Sequence, residues 1–240
     1  MLFNVLSSGG SLGEKLLFLF SYVIALLPAF TIHEWAHGYT AYKLGDGTAK
    51  ADGRLSLNPF DHLDLVGSLM LLFVGFGWAK PVPVNTRYFK KPRRDFALTA
   101  LAGPLANFIL GAISVLLYVF AFYLCEANGL SGVTSAAIEN VFYYSAVCNF
   151  GLGIFNLLPL PPLDGSNIVI CMLPHNLAAK YSKIRYYSGY IFLALILLQR
   201  VPMLDFIPNL FFWPVTAGRD LLIELFINIG NSIFFPIFFG

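Results

Sequence analysis

Residues 16–41 form one nearly unbroken apolar run, and the only charged or imidazole side chains inside it are crowded into His33-Glu34-Trp35-Ala36-His37. A run of this length suits a bilayer, whose hydrocarbon core takes about 20 apolar residues of helix. Bare polar groups there cost several kcal/mol each unless a partner satisfies them. The stretch therefore calls for a membrane helix with a partner held among those three side chains.

The remaining sequence points the same way. Of 240 residues, 58% are hydrophobic and 12% charged, whereas soluble domains carry about 25% charged residues. Mean hydropathy is +0.72. An ordinary water-facing surface cannot be built from such a chain, so its outer faces are expected to meet lipid. Further apolar segments at 96–124, 136–158, 186–198 and 221–239, with a shorter one at 65–78, predict an all-α polytopic membrane protein of five or six transmembrane helices. Residues 45–64, polar and rich in Gly, read as short extended pieces with turns. That gives a short extended/β or re-entrant region after the first helix, where an extended substrate would add as a strand. The piece at 64–79 is open between a spanning helix, a re-entrant loop and an interfacial hairpin, and residues 200–220, with Pro202, Pro208 and Pro214, resist assignment.

The chain reads as a single membrane-embedded domain over 1–240, its core at about 15–200, with no separate soluble domain and no cleavable signal peptide. Pro28 is expected to kink the first helix just before the His-Glu pair. Cys125, Cys148 and Cys171 are scattered and odd in number, so no disulfide framework is expected. Six Lys or Arg lie between Lys80 and Arg94, and such clusters beside membrane segments mark the cytoplasmic side. A multi-pass protein of the cell membrane follows, with its site towards the cytoplasm, the lipid bilayer as a partner and no nucleic acid. The oligomeric state has no signature.

His33 and His37 are four residues apart and share one helix face. Two imidazoles at that spacing converge on one tetrahedral metal, most often zinc. Glu34 lies on the flank of that face, placed to take a proton from water rather than to bind the metal. A catalytic zinc usually has a third protein ligand. Asp164, in Pro161-Pro162-Leu163-Asp164-Gly165, is the candidate, and a helix N-cap is its other reading. Asn156 either donates to a developing oxyanion or makes an interhelical bond, and Asn107 has the same two readings. His62 is a surface histidine, a transition-state donor or a transient metal ligand.

The pairing of His33-Glu34-x-x-His37 with Asn156-x-x-Pro159-x-x-x-Leu163-Asp164-Gly165 resembles the site-2 protease family (peptidase family M50) of intramembrane zinc metalloproteases. Residues 102–107, Ala-Gly-Pro-Leu-Ala-Asn, are similar to that family's Gly-Pro-x-x-Asn element. The stretch from Gly53 to Ser68 resembles the small prokaryotic branch without PDZ or CBS domains. The resemblance implies one zinc ion held by His33, His37 and Asp164, with Glu34 activating the attacking water. It implies a transmembrane protein or peptide substrate, with Asn156 handling it near the site. A metal-dependent membrane hydrolase of another class shares the His-Glu pair but need not carry the second motif. A non-catalytic metal transporter would spread polar groups over several depths.

Overall fold

The computed structural model describes residue 9 and residues 11–74, 77–198 and 204–240. Helix α1, Leu12–Lys43, opens with a reciprocal cap. Glu14 N–H donates to Ser11 Oγ at 3.3 Å, while the Glu14 carboxylate accepts from Ser11 N–H at 2.8 Å. The helix runs on through Pro28 and stops where Gly45, at φ +112°, turns the chain left-handed. Short helices α2 (Thr48–Ala51), α3 (Pro59–His62) and α4 (Leu65–Val74) follow, then a 3-10 turn at Thr86–Tyr88. The long helices α5 (Pro92–Ala127) and α6 (Val133–Leu157) form an antiparallel pair. Shorter α7 (Asp164–Met172), α8 (His175–Ser182) and α9 (Ile184–Leu198) lead to the long α10 (Phe206–Phe239).

Helices α1, α5 and α10, of 32, 36 and 34 residues, are long and apolar enough to cross a membrane. Each is roughly 50 Å long at 1.5 Å per residue, against a hydrocarbon core of about 30 Å. Their outer faces carry exposed apolar stripes, such as Leu105, Ile109, Ile113 and Leu117 on α5. A soluble protein would cover such stripes, but a lipid-facing one has no need to. The interior is built where α5, α6 and α10 meet, around Val115, Val119, Ala146, Phe150 and Ile223. Gly111 lets the Phe150 ring lie against α5, since a Cβ there would fall 2.8 Å from the ring. All three cysteines are free.

Two expectations are corrected. Three helices, not five or six, have the length and composition to span among the described residues. Helix α6 is long enough, but Glu139, Asn140, Asn149 and Asn156 dilute its apolar content, and α9 has only 15 residues. The expected extended/β region after the first helix is also absent. Residues 48–51 are helical, and the only strand-like pairing among the described residues is an isolated antiparallel bridge between Leu63 and Ala79. The segment at 64–79 contributes the ten-residue α4, roughly 15 Å long and too short to cross. The chain then folds back, with the Trp78 carbonyl packed where any side chain on Gly67 would sit. Pro208 and Pro214 lie within α10, while Pro202 falls outside the described residues.

After the fold-back, residues 79–85 form an irregular, non-helical strap across the end of α1. Lys80 N–H donates to the His62 carbonyl at 2.8 Å, and Arg54 Nη2 donates to the Lys80 carbonyl at 2.8 Å. Its far end is held by Asp46, which is fully buried. Asp46 Oδ2 accepts from Asn85 N–H at 2.6 Å, and Oδ1 accepts from Thr48 N–H at 3.0 Å. Replacing Asp46 by Ala leaves these donors unpaired, so unfolding in detergent should show a loss of about 2–3 kcal/mol. An unchanged unfolding midpoint would mean that Asp46 does not anchor the strap.

Candidate metal centre

One turn of α1 presents the Nε2 atoms of His33 and His37 to each other at 3.1 Å. Asp164 Oδ2 completes the triangle, 3.1 Å from His33 Nε2 and 3.2 Å from His37 Nε2. Asp164 is the first residue of α7, and the N-cap is Leu163, which makes no side-chain cap bond. The choice left open by the sequence is therefore decided by geometry: the carboxylate turns into the bundle instead of capping its helix. The chain reaches this position by tight packing. Gly165 sits against the Leu157 and Leu158 carbonyls, and a Cβ would fall 2.6 Å from the latter. Its φ is not positive, so close approach, not an unusual dihedral, requires glycine there.

Both imidazoles are oriented from behind. His33 Nδ1 lies 2.6 Å from Asn107 Oδ1, and His37 Nδ1 lies 2.7 Å from the Thr99 carbonyl. Each partner is an acceptor, so each Nδ1 carries a proton and each Nε2 is the nitrogen turned to the cluster. Two Nε2 atoms and a carboxylate oxygen thus face one another, an arrangement that a shared cation makes favourable. Tetrahedral zinc with bonds of about 2.0–2.2 Å separates its donors by about 3.3–3.5 Å. The observed 3.1–3.2 Å edges come within a few tenths of that, so the residues fit one zinc ion and leave a coordination position for substrate or water. Among the described residues, His33, His37 and Asp164 are the one such cluster.

Glu34 stands beside the triangle. Its Oε2 accepts from the Val82 N–H of the strap at 2.9 Å. Glu34 lines a cavity of about 260 Å³ with His33, His37, Asp164, Asn156 and Pro162, under Pro81, Val82 and Val84 of the strap. A second cavity of about 440 Å³ shares His33, Glu34, Asn156 and Pro162 and extends between Phe30, Met70, Phe155 and Phe192. Among the described residues, no Lys or Arg lines either one. One divalent cation would balance the charge of the two carboxylates, Glu34 and Asp164, in this apolar bundle.

The other candidates are distributed differently. Asn156 lines both cavities, its Nδ2 donating to the Leu152 carbonyl at 3.0 Å. Asn107 sits behind His33, and both Nδ2 protons are engaged, by the Ala29 carbonyl at 3.0 Å and Asn149 Oδ1 at 2.7 Å. It has no donor left for an oxyanion. His62 is fully buried, bonds through Nε2 to the Ser56 carbonyl at 2.8 Å, and lines neither cavity. Sequence reasoning missed Thr99 and Val82, which act through backbone atoms and leave no side-chain signal. It also missed Asn149, whose partners are Asn107 on α5 and Ser145 one turn earlier on its own helix.

A membrane helix bundle with a His-His-Asp cation site and an adjoining glutamate defines a membrane-embedded zinc metallohydrolase. Residues 21–197 match Peptidase family M50, and the chain belongs to that family. It is 42% identical over 218 residues to the "Putative zinc metalloprotease YwhC" of Bacillus subtilis (strain 168), covering 90% of this chain and 93% of that protein. Over 145 residues it is 30% identical to the "Putative zinc metalloprotease Rip2" of Mycobacterium tuberculosis, covering 58% of this chain and 52% of the relative, about half its length. It is 29% identical over 173 residues to the "Zinc metalloprotease MJ0392" of Methanocaldococcus jannaschii, covering 72% of this chain and 40% of that one. No solved structure matches the chain.

Gly103 shows how closely α5 approaches the site, because a Cβ there would lie 2.6 Å from His37 Cε1 and 2.8 Å from His33 Cε1. Gly103→Ala leaves every ligand in place yet pushes both imidazoles out of register. Zinc content measured by elemental analysis should fall at least tenfold. Full zinc occupancy in folded Gly103→Ala protein would contradict this packing account.

Proposed function

We propose that the chain is an intramembrane zinc endopeptidase that hydrolyses peptide bonds of membrane-spanning or membrane-adjacent substrates, with Glu34 as its general base. The observation that carries this reading is the convergence of His33, His37 and Asp164 beside Glu34 at the meeting point of two cavities. Zinc bound there supplies Lewis acidity, polarising the scissile carbonyl and acidifying a water molecule.

The chain's own groups do the rest. Glu34 takes the proton of the attacking water at a carboxylate oxygen and returns it to the departing amide nitrogen. The Val82 N–H holds that carboxylate at the edge of the cluster. Asn156, on the wall of both cavities, is the side-chain amide placed to hold the scissile carbonyl. The larger cavity, lined by Phe30, Met70, Leu152 and Phe192, suits the apolar side chains of a membrane-derived segment. Asn107 and His62 are assigned no contact with substrate, since the Asn107 amide is fully engaged inside the fold and His62, whose Nδ1 has no partner, is buried away from both cavities.

We place the protease core at about residues 15–200 and the site towards the cytoplasmic face of a multi-pass membrane protein. Arg93 Nη2 donates to the Ile170 and Leu173 carbonyls, which ties the basic cluster to the end of α7. Thr99, which holds His37, is five residues beyond Arg94, roughly 8 Å along α5. The basic cluster and the site therefore lie at one end of the bundle, the end that the positive-inside rule assigns to the cytoplasm.

Glu34→Gln keeps all three ligands, so purified protein should retain its zinc while cleavage of membrane-spanning peptides falls by about 10²–10⁴. Asp164→Ala should lose zinc and activity together. Undiminished cleavage by Glu34→Gln would remove the glutamate from the mechanism. A cysteine placed in the turn at 86–88 should label only from the cytoplasmic side, and labelling from outside would invert the proposed orientation.

A further inference from the structure

Behind His33 a line of buried polar groups crosses three helices. Asn107 on α5 and Asn149 on α6 are both fully buried between the helices, Asn149 with the Ser114–Ser145 hydroxyl pair beside it. Two buried amides are retained in such a place only when their hydrogen bonds are met, and here each bond determines the next. Asn149 Nδ2 donates to the Ser145 backbone carbonyl at 2.8 Å. A backbone carbonyl can only accept, so this contact decides which end of the Asn149 amide is nitrogen. Asn149 Oδ1 must then face Asn107, and it accepts from Asn107 Nδ2 at 2.7 Å. The second Nδ2 proton of Asn107 goes to the Ala29 carbonyl of α1 at 3.0 Å. With both protons so placed, Asn107 Oδ1 is the atom left opposite His33 Nδ1, at 2.6 Å.

We propose that Asn149 is a positioning residue for the metal centre, locking the amide of Asn107 and through it the tautomer of His33. The inference deepens the zinc-protease reading and rests on it. A flipped Asn107 would present its NH₂ group to Nδ1, which would then have to be the lone pair. The His33 proton would move to Nε2, the atom that lies 3.1 Å from Asp164 Oδ2 and from His37 Nε2, and one ligand would be lost. Fixed backbone carbonyls at Ser145 and Ala29 hold both amides against that flip. Neither asparagine touches a cavity at the cluster, so the effect passes entirely through hydrogen bonds.

The test uses purified full-length protein and zinc itself as the probe. Asn149→Leu fills the same space but breaks the line, whereas Asn149→Asp, buried and neutral, can still donate to Ser145 and accept from Asn107. Chelator competition should show zinc bound about tenfold more weakly by the Leu variant, and within a few-fold of wild type by the Asp variant. The visible spectrum of the cobalt-substituted protein should change in the Leu variant alone. Equal zinc affinity and an unchanged cobalt spectrum in Asn149→Leu would overturn the proposal, as would equal weakening in both variants, the outcome of a role in packing alone. Should the Leu variant not fold, ¹⁵N shifts of labelled wild-type protein stripped of metal decide the matter. His33 is expected as the Nδ1–H tautomer before zinc is added, and the Nε2–H form would refute the claim. Failure of the wild-type protein to bind zinc at all would instead refute the protease reading.

Discussion

Two imidazole nitrogens and a carboxylate oxygen held within 3.2 Å of one another in an apolar bundle call for a shared positive charge among them, and much of this structure serves to keep them there. His33 and His37 arrive together because four residues make one helical turn. Asp164 arrives from the other end of the chain, at the start of α7, through a turn compact enough to put Gly165 against the carbonyls of α6. Helix α5 supplies the wall behind them. Gly103 gives the imidazoles room, while Asn107 and the Thr99 carbonyl take their outward protons.

The surroundings follow the rule for a protein whose solvent is lipid. Large apolar side chains are plentiful on the outer faces, and most buried polar atoms are paired, with Ser21 Oγ, Arg54 Nε and His62 Nδ1 the exceptions among the described residues. The strap at 79–85 is the exception that links fold to chemistry. It is irregular backbone near an apolar core, which is tolerated because Glu34, Asp46, Arg54 and His62 take up its polar groups. The same bonds make it the roof of the cavity and the support of the glutamate. Its stability and the position of Glu34 are therefore coupled.

Some of this was legible in the sequence. The first helix, the long α5 and the apolar character of the chain followed from unbroken runs of Leu, Ile, Phe and Ala. The span count did not survive, because segment length was judged by apolar density while α6 carries asparagines and a glutamate through its middle. Nor did the extended region, since Gly and Asp in residues 45–64 mark turns equally well between short helices. Asp164 was readable as ligand or cap. That ambiguity is intrinsic, because a carboxylate at a helix start suits both and only the position of α1 distinguishes them. Asn107 and His62 showed the right residue type for substrate contact, but their donors proved committed to neighbours that no spacing rule reveals.

The sequence by itself determined the chemistry available: a helix-borne His-Glu-x-x-His turn inside a membrane segment, and an acid on a proline-stiffened turn far along the chain. Those are local properties, set by helical periodicity and by what lipid will tolerate. Only the tertiary structure decided that the acid meets the imidazoles, which ring nitrogen of each imidazole faces it, and that a backbone N–H holds Glu34. These depend on atoms brought together from residues 48 to 131 positions apart, and on carbonyls and amides that every residue possesses and no sequence pattern can single out.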